Sequence, residues 1–220
     1  MDFYERIASE HDALQLIMDG RQVQIWTAQP GMITKVSDLG GKITVDVQPA
    51  IQGKVASADG TVGLQNLPII PDVPLVVQHG GGYMATYPVA VGDEVLIVHA
   101  ARNIDGWWQS GGIQPPLDSR LHDLSDAFAI HGPFSQATKP ANYSTTTAQF
   151  RSIDGTVVVE LDQPNGKVNI KAAQEIDLEA PGELININAG TIDIAGTVNI
   201  TGTVHITGAL VINGTTVAVP

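Results

Sequence analysis

The 220-residue sequence contains no cysteine. A disulfide framework and a thiolate metal site are both excluded, and cysteine usage says nothing about redox compartment. Basic residues are scarce, with 11 Lys and Arg against 23 Asp and Glu for a formal net charge of −12. A nucleic-acid footprint needs a basic face, and charge-driven adsorption to anionic lipid needs the same, so neither is expected. Aromatic residues make up only 5% of the chain and charged residues 15%. That is too little cleft chemistry for a carbohydrate-binding or depolymerising fibre. No stretch of about 18 apolar residues is present to form a transmembrane helix. The first twenty residues, MDFYERIASEHDALQLIMDG, carry an acid at position two and no apolar run of signal-peptide length. Synthesis and folding in a cytoplasm, without a cleaved export signal, are therefore expected.

What the chain does have is 23 Gly and 13 Pro among many Val, Ile and Thr, a composition that leans to all-β. One helix is expected over residues 2–19, where Phe3, Ile7, Leu14, Ile17 and Met18 form an apolar stripe before Gly20. It either packs on its own domain or acts as a partner-binding arm. From 22 to 112 the pattern is short strands, clearest at 23–26, 32–36, 43–47 and 95–98. Pro30-Gly31, Gly40-Gly41 and Gly92-Asp93 read as turns between or before them. Five to seven such strands fit a small barrel or sandwich. Residues 113–155 hold Pro115-Pro116, Pro133, Pro140 and the run Ser144-Thr145-Thr146-Thr147, and read as a collar and linker. Four segments result: an N-terminal arm at 1–21, a barrel at 22–112, the collar at 113–155 and a repetitive region at 156–220.

The repeats are triplets of apolar, polar and apolar residues. The outer positions are Val168 and Ile170, Ile176 and Leu178, Ile185 and Ile187, Ile192 and Ile194, Val198 and Ile200, Val204 and Ile206, and Leu210 and Ile212. Their spacing tightens from 8, 9 and 7 residues to three steps of 6. Strand geometry puts the two outer side chains of each triplet on one face, and glycines at 190, 196, 202 and 208 fall at the corners. The pattern is that of a β-solenoid. Three hexad steps give one chain barely a single regular coil, and the irregular steps beneath would spoil stacking. Three chains wound together would give every short strand a neighbour, so an intertwined homotrimer is expected with these fourteen residues lining its interior. Beyond Asp193 the chain has no formally charged residue. The outward positions there are neutral and polar: Thr197, Asn199, Thr201, Thr203 and Thr207. Acidic Glu175, Asp177, Glu179 and Glu183 stay further back. Leu210, Val211, Ile212, Val217, Val219 and Pro220 are the candidate tip.

No motif reaches the specificity of an enzyme, and no catalytic, cofactor-binding or metal residue is assigned. His122 and His131 flank Asp123 and Asp126, but their spacing matches no strong ligand signature, and turn formation is the better reading. The stretch from His79 to Gly82 is similar to an esterase oxyanion loop, yet no Gly-x-Ser-x-Gly elbow accompanies it. A glycine-rich bend is expected instead. The acids from Asp123 to Asp126 are read as solvated turns and caps, and the Trp107-Trp108 pair as one core ring and one interface ring. Parity turns His205 outward between Val204 and Ile206.

Three blocks together are specific: residues 83–98 (YMATYPVAVGDEVLIV), 102–108 (RNIDGWW) and 118–130 (DSRLHDLSDAFAI). They closely resemble the central baseplate spike family of contractile-tailed phages, the membrane-puncturing tail-tip proteins. Residues 31–36 and 45–51 look like that family's first barrel strands, and the likeness covers roughly 20–135. The resemblance implies an N-terminal OB-fold barrel followed by a trimeric triple-stranded β-helix with a pointed tip. It also implies a place in the virion tail baseplate, docking on a baseplate hub protein and driving of the spike into the bacterial outer membrane on contraction. Several members close the tip with iron held by a His-x-His pair from each chain. Here Ile206 and Thr207 follow His205 and no later histidine exists, so a metal-free apolar tip is expected. The alternative is a hexapeptide-repeat acyltransferase trimer. It would need more regular hexads and a catalytic histidine at an intersubunit cleft, whereas His205 lies near the far end.

Overall fold

The computed structural model describes residues 10–22, 24–38, 43–56, 61–212 and 215–217. Helix α1 (Glu10–Gln22) opens the described chain. The predicted helix at 2–19 is thus described only from Glu10; Phe3 and Ile7 lie outside the described residues. The helix does not stop at Gly20 but runs through it, since a glycine without a left-handed φ continues an α-helix at a cost of only about 1 kcal/mol. Leu14, Leu16, Ile17 and Met18 are all exposed.

Five strands close a barrel: β1 (Ala28–Asp38), β2 (Ile43–Pro49), β5 (Ile70–Val76), β8 (Glu94–His99) and β9 (Ala127–His131). Around the barrel the order is β1-β2-β5-β9-β8 and back to β1. All neighbours are antiparallel except β5 and β9, which run parallel through Leu75↔Ala129 and Val76↔Ile130. Alternation supplies the core, because each strand points every second side chain inward. Ile33, Val45, Val47, Val95, Ile97 and Ala129 are fully buried there, with Ile70, Val73 and Ala127 nearly so. Register shifts between Ile33 and Lys35 and between Val45 and Val47 bend the strands at the corners.

Two sequence expectations change here. Pro30-Gly31 is not a turn but part of the first half of β1, with Gly31 paired to Pro49 on one side and Val95 on the other. A Cβ on Gly31 would stand 2.6 Å from both Ile97 Cδ1 and Val47 Cγ1. The glycine is there so that two buried side chains can cross the strand. The predicted strand at 23–26 is also absent as such: Val23 lies outside the described residues, and pairing starts at Ala28. Trp26 instead donates its backbone N–H to the His122 carbonyl at 3.2 Å. Gly40 and Gly41 lie outside the described residues, whereas Gly92 does turn, with φ +97°.

The barrel reaches His131, so its last strand falls within the segment read as collar and linker. Ala127 and Ala129 carry the inward face of β9; small residues inward beside Phe128 and Ile130 hid the strand from a search for large apolar alternation. Smaller hairpins decorate the barrel. β3 (Gly53–Ala56) pairs with β4 (Val62–Gln65), and β6 (Gln78–Gly80) with β7 (Tyr83–Ala85). The β6–β7 turn is Gly81-Gly82, both at positive φ, the two-residue geometry that favours glycine. Helix α2 (Asp105–Ser110) crosses the β8–β9 connection.

Beyond the barrel, β10 (Ala148–Arg151), β11 (Val158–Asp162) and β12 (Lys167–Lys171) form an antiparallel three-stranded sheet. Residues 172–209 contain no strand, although each triplet was expected to be one. A strand is defined by a partner, and the five triplets within this stretch have none among the described residues. Then β13 (Leu210–Ile212) pairs antiparallel with β14 (Thr215–Val217). The chain therefore doubles back at the last triplet instead of continuing the repeat.

Candidate functional site

The β8–β9 connection, and the stretch that leaves the barrel after β9, are held by charge and hydrogen bonds. Asp126 is 1% exposed, so it is not the solvated turn residue expected from sequence. Its Oδ1 accepts from Asn103 Nδ2 at 3.1 Å, the Ile104 backbone N–H at 3.2 Å and Arg120 at 3.3 Å. Arg120 Nε lies 3.3 Å from Asp126 Oδ2, an ion contact outside hydrogen-bond geometry. Asp105 takes further bonds from Arg120 and Asn103. This network pins α2 and the 117–126 loop to the barrel. Glu94 ties down the next stretch, accepting from the Thr138 hydroxyl and from the Ser135 backbone N–H at 2.6 Å. Those bonds, Thr138 first and then Ser135, hold the Glu94 carboxyl below its usual range.

The β10–β12 sheet has two unlike faces. Gln149, Glu160 and Asn169 meet on one: Glu160 accepts from Asn169 at 2.8 Å, from the Thr147 hydroxyl at 2.7 Å and from Gln149 at 2.6 Å. In that order these donors lower the Glu160 pKa. The other face carries Ala148, Phe150, Val159, Leu161, Val168 and Ile170, and all are exposed. Phe150 touches Tyr87 of the barrel, ring centroids 5.9 Å apart, and Tyr87 stands equally close to His131. A nearby hollow of about 300 Å³ includes Phe134, Tyr143, Arg151 and Ile153 in its lining. The Arg151 guanidinium there is turned to the carbonyls of Ala141, Asn142, Ser152 and Ile153.

The fourteen positions assigned to an interior lie on an uncovered surface in the single chain. Thirteen of them, from Val168 to Ile206 and Ile212, are 43–69% exposed, and Leu210 is half-buried. They are spread along the segment and not gathered into a core. Its backbone is nevertheless regular: Gly196, Gly202 and Gly208 take φ of +130°, +137° and +130°. The same corner recurs every six residues. Of the candidate tip, Leu210, Val211 and Ile212 form β13 and Val217 lies in β14; Val219 and Pro220 lie outside the described residues.

The histidines are dispersed. His99 is buried at the end of β8, with Gln29 donating to its Nε2 at 3.2 Å and Trp26 at 5.9 Å between ring centroids. His122, at φ +49°, donates from Nδ1 to the Trp26 carbonyl. His131 lies tilted against Tyr87, His79 pairs with Met84 in the β6–β7 hairpin, and His205 is exposed. No three metal-ligating side chains gather among the described residues. Trp107 packs edge-on against Phe128 at 5.7 Å and stays 45% exposed, while Trp108 is half-buried. Neither ring enters the core, because α2 lies on the outside of the barrel. No described helix is long and apolar enough to cross a membrane.

The apolar row on β10 and β11 escaped the sequence reading. Its signal was present as period-two alternation in Ala148-Gln149-Phe150-Arg151 and Val159-Glu160-Leu161-Asp162. Proline and Ser/Thr content nearby suggested linker instead.

No curated protein matches the chain. A family described as phage protein Gp138 N-terminal domain matches residues 12–132, a span that takes in the barrel and ends one residue past β9. The match covers more than half of the sequence and coincides with the barrel and its locked connections, and the chain belongs to this family of phage baseplate proteins.

Proposed function

We propose that this baseplate protein forms the trimeric central spike of a contractile tail and pierces the host outer membrane when the tail contracts. One observation carries the reading. Residues 172–209 include a backbone corner repeated every six residues at Gly196, Gly202 and Gly208, while their Val, Ile and Leu side chains stay exposed and their backbone pairs with no strand among the described residues. Unpaired β-like backbone and regularly spaced exposed Val and Ile are costly in water. Two further copies wound about a common axis supply both missing partners. The barrel order, with its single parallel pair, is that of an OB-type Greek-key barrel, which we read as the base that docks on the hub. A single-chain solenoid of the acyltransferase kind would pair its successive hexads, and no such pairing occurs within the described 172–209.

The mechanism is mechanical and involves no catalytic residue. Contraction supplies force, and the interlocked chains transmit it. The segment beyond Asp193 has no formal charge, and its outward Thr and Asn side chains lower the cost of entering hydrocarbon, where one central charge costs about 2.5–3.5 kcal/mol. No His-x-His pair follows Asp193, so the tip is closed by apolar side chains and not by iron.

The test is Thr203→Lys in the assembled particle. Particle yield and morphology should be unchanged while infection or killing falls about tenfold or more, since each copy would carry a charge into the membrane. Full infectivity with intact particles would overturn the piercing role.

A further inference from the structure

Resting on the spike reading, we infer that α1 is a docking helix. It seats its apolar face in an apolar, basic-rimmed groove on a baseplate protein other than this chain, at the end of the barrel turned away from the shaft.

The helix is built for a partner that its own chain does not supply. It has 13 residues, and isolated helices shorter than about 12–15 residues are marginal in water. At 3.6 residues per turn, Leu16, Ala13, Ile17, Leu14 and Met18 fall in that order across an arc of roughly 200°. Within residues 12–22 only Arg21, in the last turn, interrupts the arc. Gly20 also lies in it and lets another backbone come close. Asp12, Gln15, Asp19 and Gln22 fill the remaining strip. Leu14, Leu16, Ile17 and Met18 are 60–74% exposed and Ala13 is half-buried. This is a core-type face that no described part of the chain covers.

Strand register fixes where the helix is carried. The chain enters β1 at Ala28, level with Val98 of β8 and Phe128 of β9. It leaves β9 at His131, level with Val95 of β8 and Gly31 of β1. Ser135 and Thr138 then bond to Glu94 at that same exit end. The link into β1 is short and tied: Gln24 and Ile25 donate backbone N–H groups to the Arg21 and Gln22 carbonyls, and Trp26 donates to the His122 carbonyl. Helix α1 and the C-terminal region are therefore attached at opposite ends of the barrel. With the shaft directed at the host, α1 faces the particle.

Arc width and charge select the occupant. A helix that pairs with its own copies needs only a narrow seam of a and d positions, whereas a 200° arc is covered by a groove that takes the helix from both sides. Asp12 and Asp19 border the arc beside Leu16 and call for a basic rim. A chain with 11 basic residues against 23 acidic ones is a poor source of one. The acidic strip also disfavours a lipid surface, since helices that lie on membranes carry Lys and Arg on the polar face.

The test uses the full chain in the assembled particle. The photo-crosslinking residue p-benzoylphenylalanine replaces Ile17, and in a reference variant Gln15 on the polar strip. After irradiation the joined chains are identified by mass spectrometry. The Ile17 variant should join one other virion protein about tenfold or more efficiently than the Gln15 variant. Joining to a second copy, to its own chain or to lipid would overturn this inference and leave the spike reading standing, as would no product above the reference. Wild-type baseplates that lack the chain would overturn both. In parallel, Ile17→Asp should leave the solution mass and thermal midpoint of the purified protein unchanged, while the amount of chain per particle falls about tenfold or more. Undiminished incorporation would overturn the docking role.

Discussion

His99 stands at the inner end of β8 with Gln29 bonded to its Nε2, buried beside Trp26. Its Nδ1 makes no hydrogen bond of good geometry. Burial pushes the His99 pKa below its ordinary value of about 6.5, and the nearby carbonyls of Leu124 and Asp123 only partly oppose that. The folded barrel therefore prefers neutral His99, while the unfolded chain takes up a proton near pH 6.5. His99 contributes stability that is fully present above that value and is lost as pH falls through its lower folded pKa. Thermal midpoints followed by tryptophan fluorescence should drop between about pH 7 and pH 5 in the wild type. The drop should be smaller in His99→Gln. Glu94, Asp123 and Glu160, whose pKa values lie below the ordinary carboxylate range, act only at more acid pH and leave this window clear. Superimposable pH profiles for the two proteins would refute the assignment.

At the level of elements, the C-terminal region depends on a corner repeated at fixed spacing. Gly196, Gly202 and Gly208 adopt φ near +130°, where a residue with a Cβ is strained by about 1–3 kcal/mol. Nothing crowds these glycines, so space is not the reason for them; backbone conformation is. Gly202→Ala should lower the melting temperature of the C-terminal β signal in circular dichroism, with the cost incurred once per chain. Gly190→Ala, where φ is not positive and the space is equally open, should change it little. Equal losses in the two variants would remove the special role of the hexad corner. Gly31 illustrates the opposite cause, because Ile97 and Val47 leave no room for a Cβ there. Both glycines are visible in the sequence, but only the three-dimensional neighbourhood separates a turn, a corner and a crossing.

For the whole molecule, a covered barrel core coexists with an uncovered C-terminal half. Ten apolar residues build the barrel core, whereas the triplet residues of the rest stay largely exposed. On the proposed spike reading the uncovered half is closed by further copies, since exposed apolar surface of this extent invites association. Light scattering on the intact protein should give three times the 23.2 kDa chain mass, independent of concentration over the micromolar range. A stable monomer would sink the intertwined assembly, and open-ended growth would argue for unclosed pairing of edges.

The sequence by itself determined the features that depend on spacing along the chain. Alternating apolar residues at 32–36, 43–47 and 95–98 identified three of the barrel strands. The triplets and their six-residue step marked the repetitive region, and the charge distribution left residues beyond Asp193 neutral. Period and charge are local properties, written in consecutive letters. Tertiary structure alone decided which strands are neighbours. It closed the barrel through the parallel β5–β9 pair, buried Asp126 beneath Arg120 and placed Gly31 under two core side chains. It also aligned Ala148, Leu161 and Val168 into one row. These residues come together across 6 to 66 positions of sequence, from Arg120 and Asp126 to Gly31 and Ile97. Their proximity follows from register and closure, which no single stretch of chain contains.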